Sequence, residues 1–220
     1  MQSVAGIMRI AHMVFFVMLF FQSLVVQAQQ KIAMNFILHH APALKPVVLR
    51  TAIKAYHWAC ARNSIPRSSR LTVVDFSLPS YEKRLWVIDL KTNHVLLHTY
   101  TAQGRGSGTV YARHFSNQPG SLESSLGVYE ITHSYSGKHG ESLRLKGLEP
   151  GVNDNAEQRE IVIHPAWYAS PAFIKKYHRA GRSWGCFAVD PAVSCKLIRL
   201  TKGGSVLFAY AKQELHDSII

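Results

Sequence analysis

The sequence predicts a mainly β, α+β domain built on a mixed or antiparallel sheet with a few short helices. Short runs rich in Val, Ile, Leu, Phe and Thr recur between residues 71 and 211, the composition of strands. Only two stretches carry helical apolar spacing with recognisable ends. The strand–helix alternation that builds a wholly parallel sheet is missing.

The elements follow in chain order. Arg9 is the single charged residue among the first 28, and Ile10 to Val26 is almost wholly apolar. Val26-Gln27-Ala28 fits the small-residue cleavage pattern, so residues 1–28 are expected to be a signal peptide and the mature chain to start near Gln29. The rival is an uncleaved anchor. His12 and Gln22 leave an apolar core shorter than the ~20 residues a spanning helix needs, which favours cleavage. No later segment is long and apolar enough to span a membrane. The expected protein is exported, with no stable span after cleavage, and periplasmic or held loosely in the cell envelope.

Residues 29–46 form a lead-in of unassigned order, and residues 47–220 form one domain; the about 190 residues left after cleavage suit a single core. Pro46 to Ala61 has helical spacing with proline in the first turn. Strands are expected at Leu71–Phe76, Arg84–Leu90 and Val95–Thr101, the last two joined by a turn at Lys91-Thr92-Asn93-His94. Gln103 to Gly108 is a Gly/Ser-rich loop without the Lys-Ser/Thr ending of a phosphate-binding loop. A polar loop at Phe115–Ser125 leads to strands at Leu126–Thr132 and Ser142–Leu148, separated by a turn at Ser136–Gly140. Glu160 to His164 reads as a buried strand that Pro165 ends. Asp190-Pro191 reads as the cap and first position of a helix to Leu200, and Ser205–Ala211 is the closing strand.

Composition narrows the partners. Without Arg9 the chain carries 24 basic against 13 acidic side chains, a formal charge of about +11, which favours an anionic partner such as acidic wall polymer or a membrane surface. The positive charge is scattered, and no basic run with interleaved aromatics points to nucleic acid. Simple solubility is the ordinary alternative. Cys60, Cys186 and Cys195 are an odd set, so at least one thiol stays unpaired within the chain. A Cys60–Cys195 bridge and two further free thiols are both open.

The chemistry concentrates in Gly181-Arg182-Ser183-Trp184-Gly185-Cys186-Phe187-Ala188-Val189. Gly185 permits close backbone approach, and Cys186 follows it shortly before a helix, whose N-terminus favours a thiolate. His164, at the mouth of an apolar strand, is the candidate base. The ordinary alternatives are a strand-end histidine and a packed thiol. Arg182 suits a substrate carboxylate or a surface ion pair. Trp184 suits the substrate groove or the core, and His139, in a glycine-flanked turn, the site or solvent. No H-E-x-x-H or clustered ligand set appears, so neither metal nor cofactor is expected.

From residue 47 to 210 the chain resembles the murein L,D-transpeptidase catalytic-domain family, a branch of the YkuD-like superfamily. The motifs are Val74-Asp75-Phe76-Ser77-Leu78-Pro79-Ser80, Trp86-Val87-Ile88-Asp89-Leu90, Phe115-Ser116-Asn117 and Ser124-Ser125-Leu126-Gly127-Val128-Tyr129. Gly137-Lys138-His139-Gly140, Gly147-Leu148-Glu149, Ile161-Val162-Ile163-His164 and Gly181 to Cys186 complete the series. The resemblance implies a β-sandwich-like catalytic domain acting on peptidoglycan stem peptides. It implies Cys186 as nucleophile, His164 as its activator and the carbonyl of Pro165 as the group orienting the imidazole. Ser183 flanks the nucleophile, and the Gly185 and Cys186 N–H groups are the implied oxyanion donors. The implied reaction releases D-alanine through a thioester, with an amine acceptor for cross-linking or water for trimming.

The chain departs from the family pattern at Pro165 (usually Gly or Ser), Phe187 (usually Pro) and Gln103 (expected His), and has Ala188 and Val189 where a basic or amide residue is usual. Trp184 stands where the wider superfamily has histidine. The expected function is therefore an exported cysteine L,D-transpeptidase. The alternatives are an L,D-carboxypeptidase, a non-catalytic wall-binding module of the same fold, and a basic structural protein with a disulfide-bonded Cys186. Nothing in the sequence indicates an oligomeric state.

Overall fold

The structure, a computed structural model, describes residues 31–212 except 63–64 and 66–67, together with residues 12, 22 and 29. The expected signal peptide, but for two of its residues, lies outside the described residues. Residues 31–40 are helical (α1). This part of the lead-in buries Ile37, and the turn after it Ala41 and Leu44, against helix α2 (Pro46–Arg62). Within α2, Val48, Leu49, Ala52, Ala55 and Ala59 repeat at three- and four-residue intervals and form its buried face. The alanines leave little side chain between helix and sheet.

Among the described residues ten strands form one sheet: β1 (Arg70–Asp75), β2 (Leu85–Asp89), β3 (His94–Thr99), β4 (Thr101–Gly104), β5 (Gly127–Gly137), β6 (Gly140–Gly147), β7 (Val162–Pro165), β8 (Arg182–Ser183), β9 (Phe187–Val189) and β10 (Ser205–Tyr210). Their order is β3-β2-β1-β10-β5-β6-β7-β9-β4-β8. The pairs β1/β10, β7/β9 and β4/β8 are parallel and the rest antiparallel, so the sheet is mixed, as the sequence predicts. One residue, Tyr100, links β3 at one edge to β4 near the other. A single residue spans only ~3.5 Å, so the sheet must curl until its ends meet. Across that closure the Arg84 guanidinium, entering β2, donates to Thr101 O at 2.9 and 3.1 Å. Inside it Phe187 of β9 stacks on Phe76 and lies edge-on to Tyr129, each at 5.8 Å between centroids.

The curl explains the strand compositions. Along β1, Leu71 and Val73 join the α2-side core whereas Val74 joins the enclosed core. In β2, Trp86 and Ile88 take the first side and Leu85 and Val87 the second. Alternate side chains point to opposite faces, and here both faces are buried, which gives continuous apolar runs.

Two further helices are α3 (Pro171–Tyr177) and α4 (Pro191–Thr201). The Asp190 carboxylate caps α4 by accepting from Ala192 N–H at 3.1 Å. Helix α3 is absent from the sequence reading, although Ser170-Pro171 carries the same cap signal: Ser170 Oγ accepts from Phe173 N–H at 3.3 Å. Two boundaries are corrected. Glu160 is not in a strand but sits at φ +53°, and Pro165 is the last residue of β7 rather than its terminator, in register with Val189. Proline is tolerated there because the next ladder donor is Ala166 N–H, which reaches Val189 O at 2.8 Å.

Candidate active site

The parallel pairing of β7 and β9 sets Ile163 opposite Phe187 and His164 opposite Ala188. His164 therefore lies one residue from the end of β7, and Cys186 immediately before β9. Both side chains line one cleft of about 530 Å³, as do Ser183, Trp184, Arg182 and His139. The β5–β6 hairpin supplies one wall, since its two-residue turn, Lys138-His139, is closed by the Gly137–Gly140 pair. The His139 ring stacks on His164 at 4.4 Å between centroids.

His164 is 4% exposed. Its Nδ1 lies 3.0 Å from Pro165 O. A carbonyl only accepts, so Nδ1 carries the proton and Nε2 presents the free lone pair. Burial pushes the imidazole below its ordinary range; the Pro165 carbonyl works against that, and the neighbouring His139 and Lys138 reinforce it. At Cys186, burial pushes the thiol up. A backbone hydrogen bond from Val162 and the charges of Arg159 and Lys138 work in the opposite direction. The thiol donates to Glu160 O at 3.5 Å.

Both shifts favour the neutral forms of the two groups. Helix α4 starts five residues beyond Cys186, after β9, and its first N–H groups face their own Asp190 cap.

The turn before the thiol is locked. Ser183 Oγ donates to Cys186 O at 2.7 Å and accepts from Gly185 N–H at 3.1 Å. Ser124 Oγ donates to Gly185 O at 3.0 Å. Gly185 has φ +122°, and a Cβ there would lie 2.8 Å from Glu123 O and 2.9 Å from Ile161 Cδ1. Of the two implied oxyanion donors, the Gly185 N–H is thus engaged by Ser183.

Trp184 is 68% exposed, with Lys138 Nζ 5.8 Å from its ring centre. It belongs to the cleft and not to the core. Arg182, on β8, is exposed, and its Nη1 reaches Arg105 O at 3.5 Å. All three cysteines are free thiols, Cys195 exposed on α4 and Cys60 half-buried on α2.

Of two further supports, sequence reasoning missed one and marked the other only as a departure from the family pattern. Arg159 Nη1 donates to Ser116 O and Ser125 Oγ, both at 2.5 Å. Its Nη2 donates to Glu123 O at 2.5 Å and Ser121 Oγ at 3.2 Å. One half-buried side chain thus ties the 115–125 loop beneath the Cys186 turn. No local pattern marks it, because its partners are 34 to 43 residues away. The second is Gln103, whose Oε1 accepts from Arg84 while its Nε2 donates to Gly108 O and Thr109 O, each at 3.3 Å. It is fully buried and serves the sheet closure rather than the cleft.

A family model described as the L,D-transpeptidase catalytic domain matches residues 40–210. The chain belongs to that family. No curated protein matches the chain. Among solved structures it is similar to an L,D-transpeptidase from Mycobacterium smegmatis, at 13% identity over 65% of this chain and 59% of that one, with a TM-score of 0.40. An L,D-transpeptidase from Stackebrandtia nassauensis gives 12% identity over 73% and 64%, TM-score 0.39. A variant of the helical cell shape determining protein Pgp2 from Campylobacter jejuni gives 11% over 74% and 57%, TM-score 0.45. The chain spans less than two thirds of the length of each.

Proposed function

We propose that this protein is an exported cysteine L,D-transpeptidase acting on the tetrapeptide stems of peptidoglycan. The observation that carries the reading is the convergence of Cys186 and His164 in one cleft, with His164 Nδ1 committed to the Pro165 carbonyl. Nε2 takes the thiol proton as sulfur attacks the carbonyl before the terminal D-residue. His164 then returns the proton to the leaving amine, D-alanine departs, and a thioester remains on Cys186. An incoming amine loses its proton to His164 and closes the cross-link, which frees the thiol. The Cys186 N–H is the proposed oxyanion donor, joined by Gly185 N–H if substrate displaces the Ser183 hydroxyl from it. Arg182, Trp184 and His139 are proposed to contact the stem. Families of this kind act on the cell wall, so an extracytoplasmic location is proposed with it.

The test is incubation of purified tetrapeptide muropeptides with the protein and with Cys186→Ala, read by mass spectrometry. Loss of D-alanine with dimer formation, absent in the variant, is the expected result. Loss of D-alanine without dimers assigns the carboxypeptidase reaction, with water as acceptor. Untouched substrate in both samples, with a D-amino acid acceptor also supplied, overturns the enzymatic reading in favour of a wall-binding module.

A further inference from the structure

The cleft is markedly basic, and its charges are not neutralised from within. Lys138 on the hairpin turn, Arg144 on β6, Arg182 on β8 and Arg159 all line it, against one carboxylate, Glu160. Among the described residues the sole ion pair is Arg70–Asp89, outside the cleft. The cations are held by neutral groups instead. Arg144 lies over the Tyr135 ring at 4.3 Å, Lys138 faces Trp184, and Arg182 reaches a backbone carbonyl. Arg159 is occupied by two carbonyls and two hydroxyls. Lys138, Arg144 and Arg182 come from three separate elements and keep their charge for whatever enters beside Cys186 and His164.

Resting on the function proposed above, we propose that this cleft selects donor stems whose side-chain and α-carboxylates are free, in preference to stems in which they are amidated. A guanidinium presents a planar fork of donors that a carboxylate accepts in a bidentate pair. A carboxamide is neutral and turns its own N–H donors toward the fork, so one hydrogen bond and the charge attraction are lost together. Several cations around one mouth add to this through the local field, and added salt weakens it.

The test is calorimetric binding of two synthetic tetrapeptide stems, one free-acid and one amidated, to Cys186→Ala, which holds the substrate without turnover. The free-acid stem is expected to bind about tenfold more tightly at low salt, with the gap narrowing at ~0.5 M salt as Debye screening shortens. In Arg144→Gln and in Lys138→Gln, each built on Cys186→Ala, the ratio of the two affinities is expected to fall toward one. Equal affinities, tighter binding of the amidated stem, no binding of either, or an unchanged ratio in both variants would each overturn the inference. The wild-type muropeptide assay reads the function separately. Turnover without carboxylate preference sinks this inference alone, whereas preferential binding without turnover sinks the enzymatic reading alone.

Discussion

Replacing Arg159 with glutamine tests how the nucleophile is supported. The guanidinium makes four hydrogen bonds to the 115–125 loop, and the shorter amide retains one at best. Three lost bonds at about 1 kcal/mol each, discounted below the ~1.5–3 kcal/mol of a charged donor because the group is half-buried, come to about 3 kcal/mol. At roughly 2–4 °C per kcal/mol for a domain of this size, the melting temperature should fall by about 6–12 °C. The same cation favours the Cys186 thiolate, holding its pKa down against burial, so the pH midpoint of Cys186 alkylation should move upward in the variant. Arg159→Lys separates the two effects, since it keeps the charge without the fork: the alkylation midpoint should largely recover while the melting temperature should not. Thermal unfolding by circular dichroism and a pH series of iodoacetamide labelling read both. A melting shift below about 2 °C with an unmoved midpoint would refute the reasoning.

Further expectations follow from single residues. His164 is held below its ordinary 6.5 mainly by burial, so the acidic limb of kcat should fall below that value and activity should persist into mild acid; a limb at or above 6.5 contradicts this. Glu149, which accepts from Val128 N–H, is pushed up to about 7 by burial, against an ordinary 4.5. The folded state therefore binds this proton more tightly. The stability it contributes is complete below pH 4.5 and fades as pH rises through about 7. Glu149→Gln should flatten the decline of melting temperature between pH 5 and 8, and parallel curves would count against it. At Gly147 a Cβ would lie 1.8 Å from Asn153 O; Gly147→Ala should abolish cooperative unfolding or soluble expression, and a variant melting within a few degrees of wild type would show that the turn yields.

Local signals were legible where the chemistry is local. Asp190-Pro191 announces α4 because the cap and the fixed proline φ act within one turn. The β1 and β2 runs announce strands through composition alone. The curl was not legible, since it depends on Tyr100 joining strands that lie far apart in the sheet. Helix α1 stayed unassigned because its stripe, Ile37, Ala41 and Leu44, runs past the helix end and acquires meaning only against α2. At the site, the sequence marked Cys186, His164 and the Asp190-capped helix beyond β9, but not the distant groups that surround the thiol. Arg159 escaped notice because every group it holds is distant in sequence.

The central claim is that Cys186 carries the acyl group. The most direct measurement is intact-protein mass spectrometry after brief mixing with a tetrapeptide stem and acid quench, followed by mapping of the modified peptide. The account predicts an added mass equal to the stem less D-alanine, located on the peptide containing Cys186, labile to hydroxylamine and absent from Cys186→Ala. Substrate turnover with no adduct at Cys186, or an adduct that persists in Cys186→Ala, would contradict it.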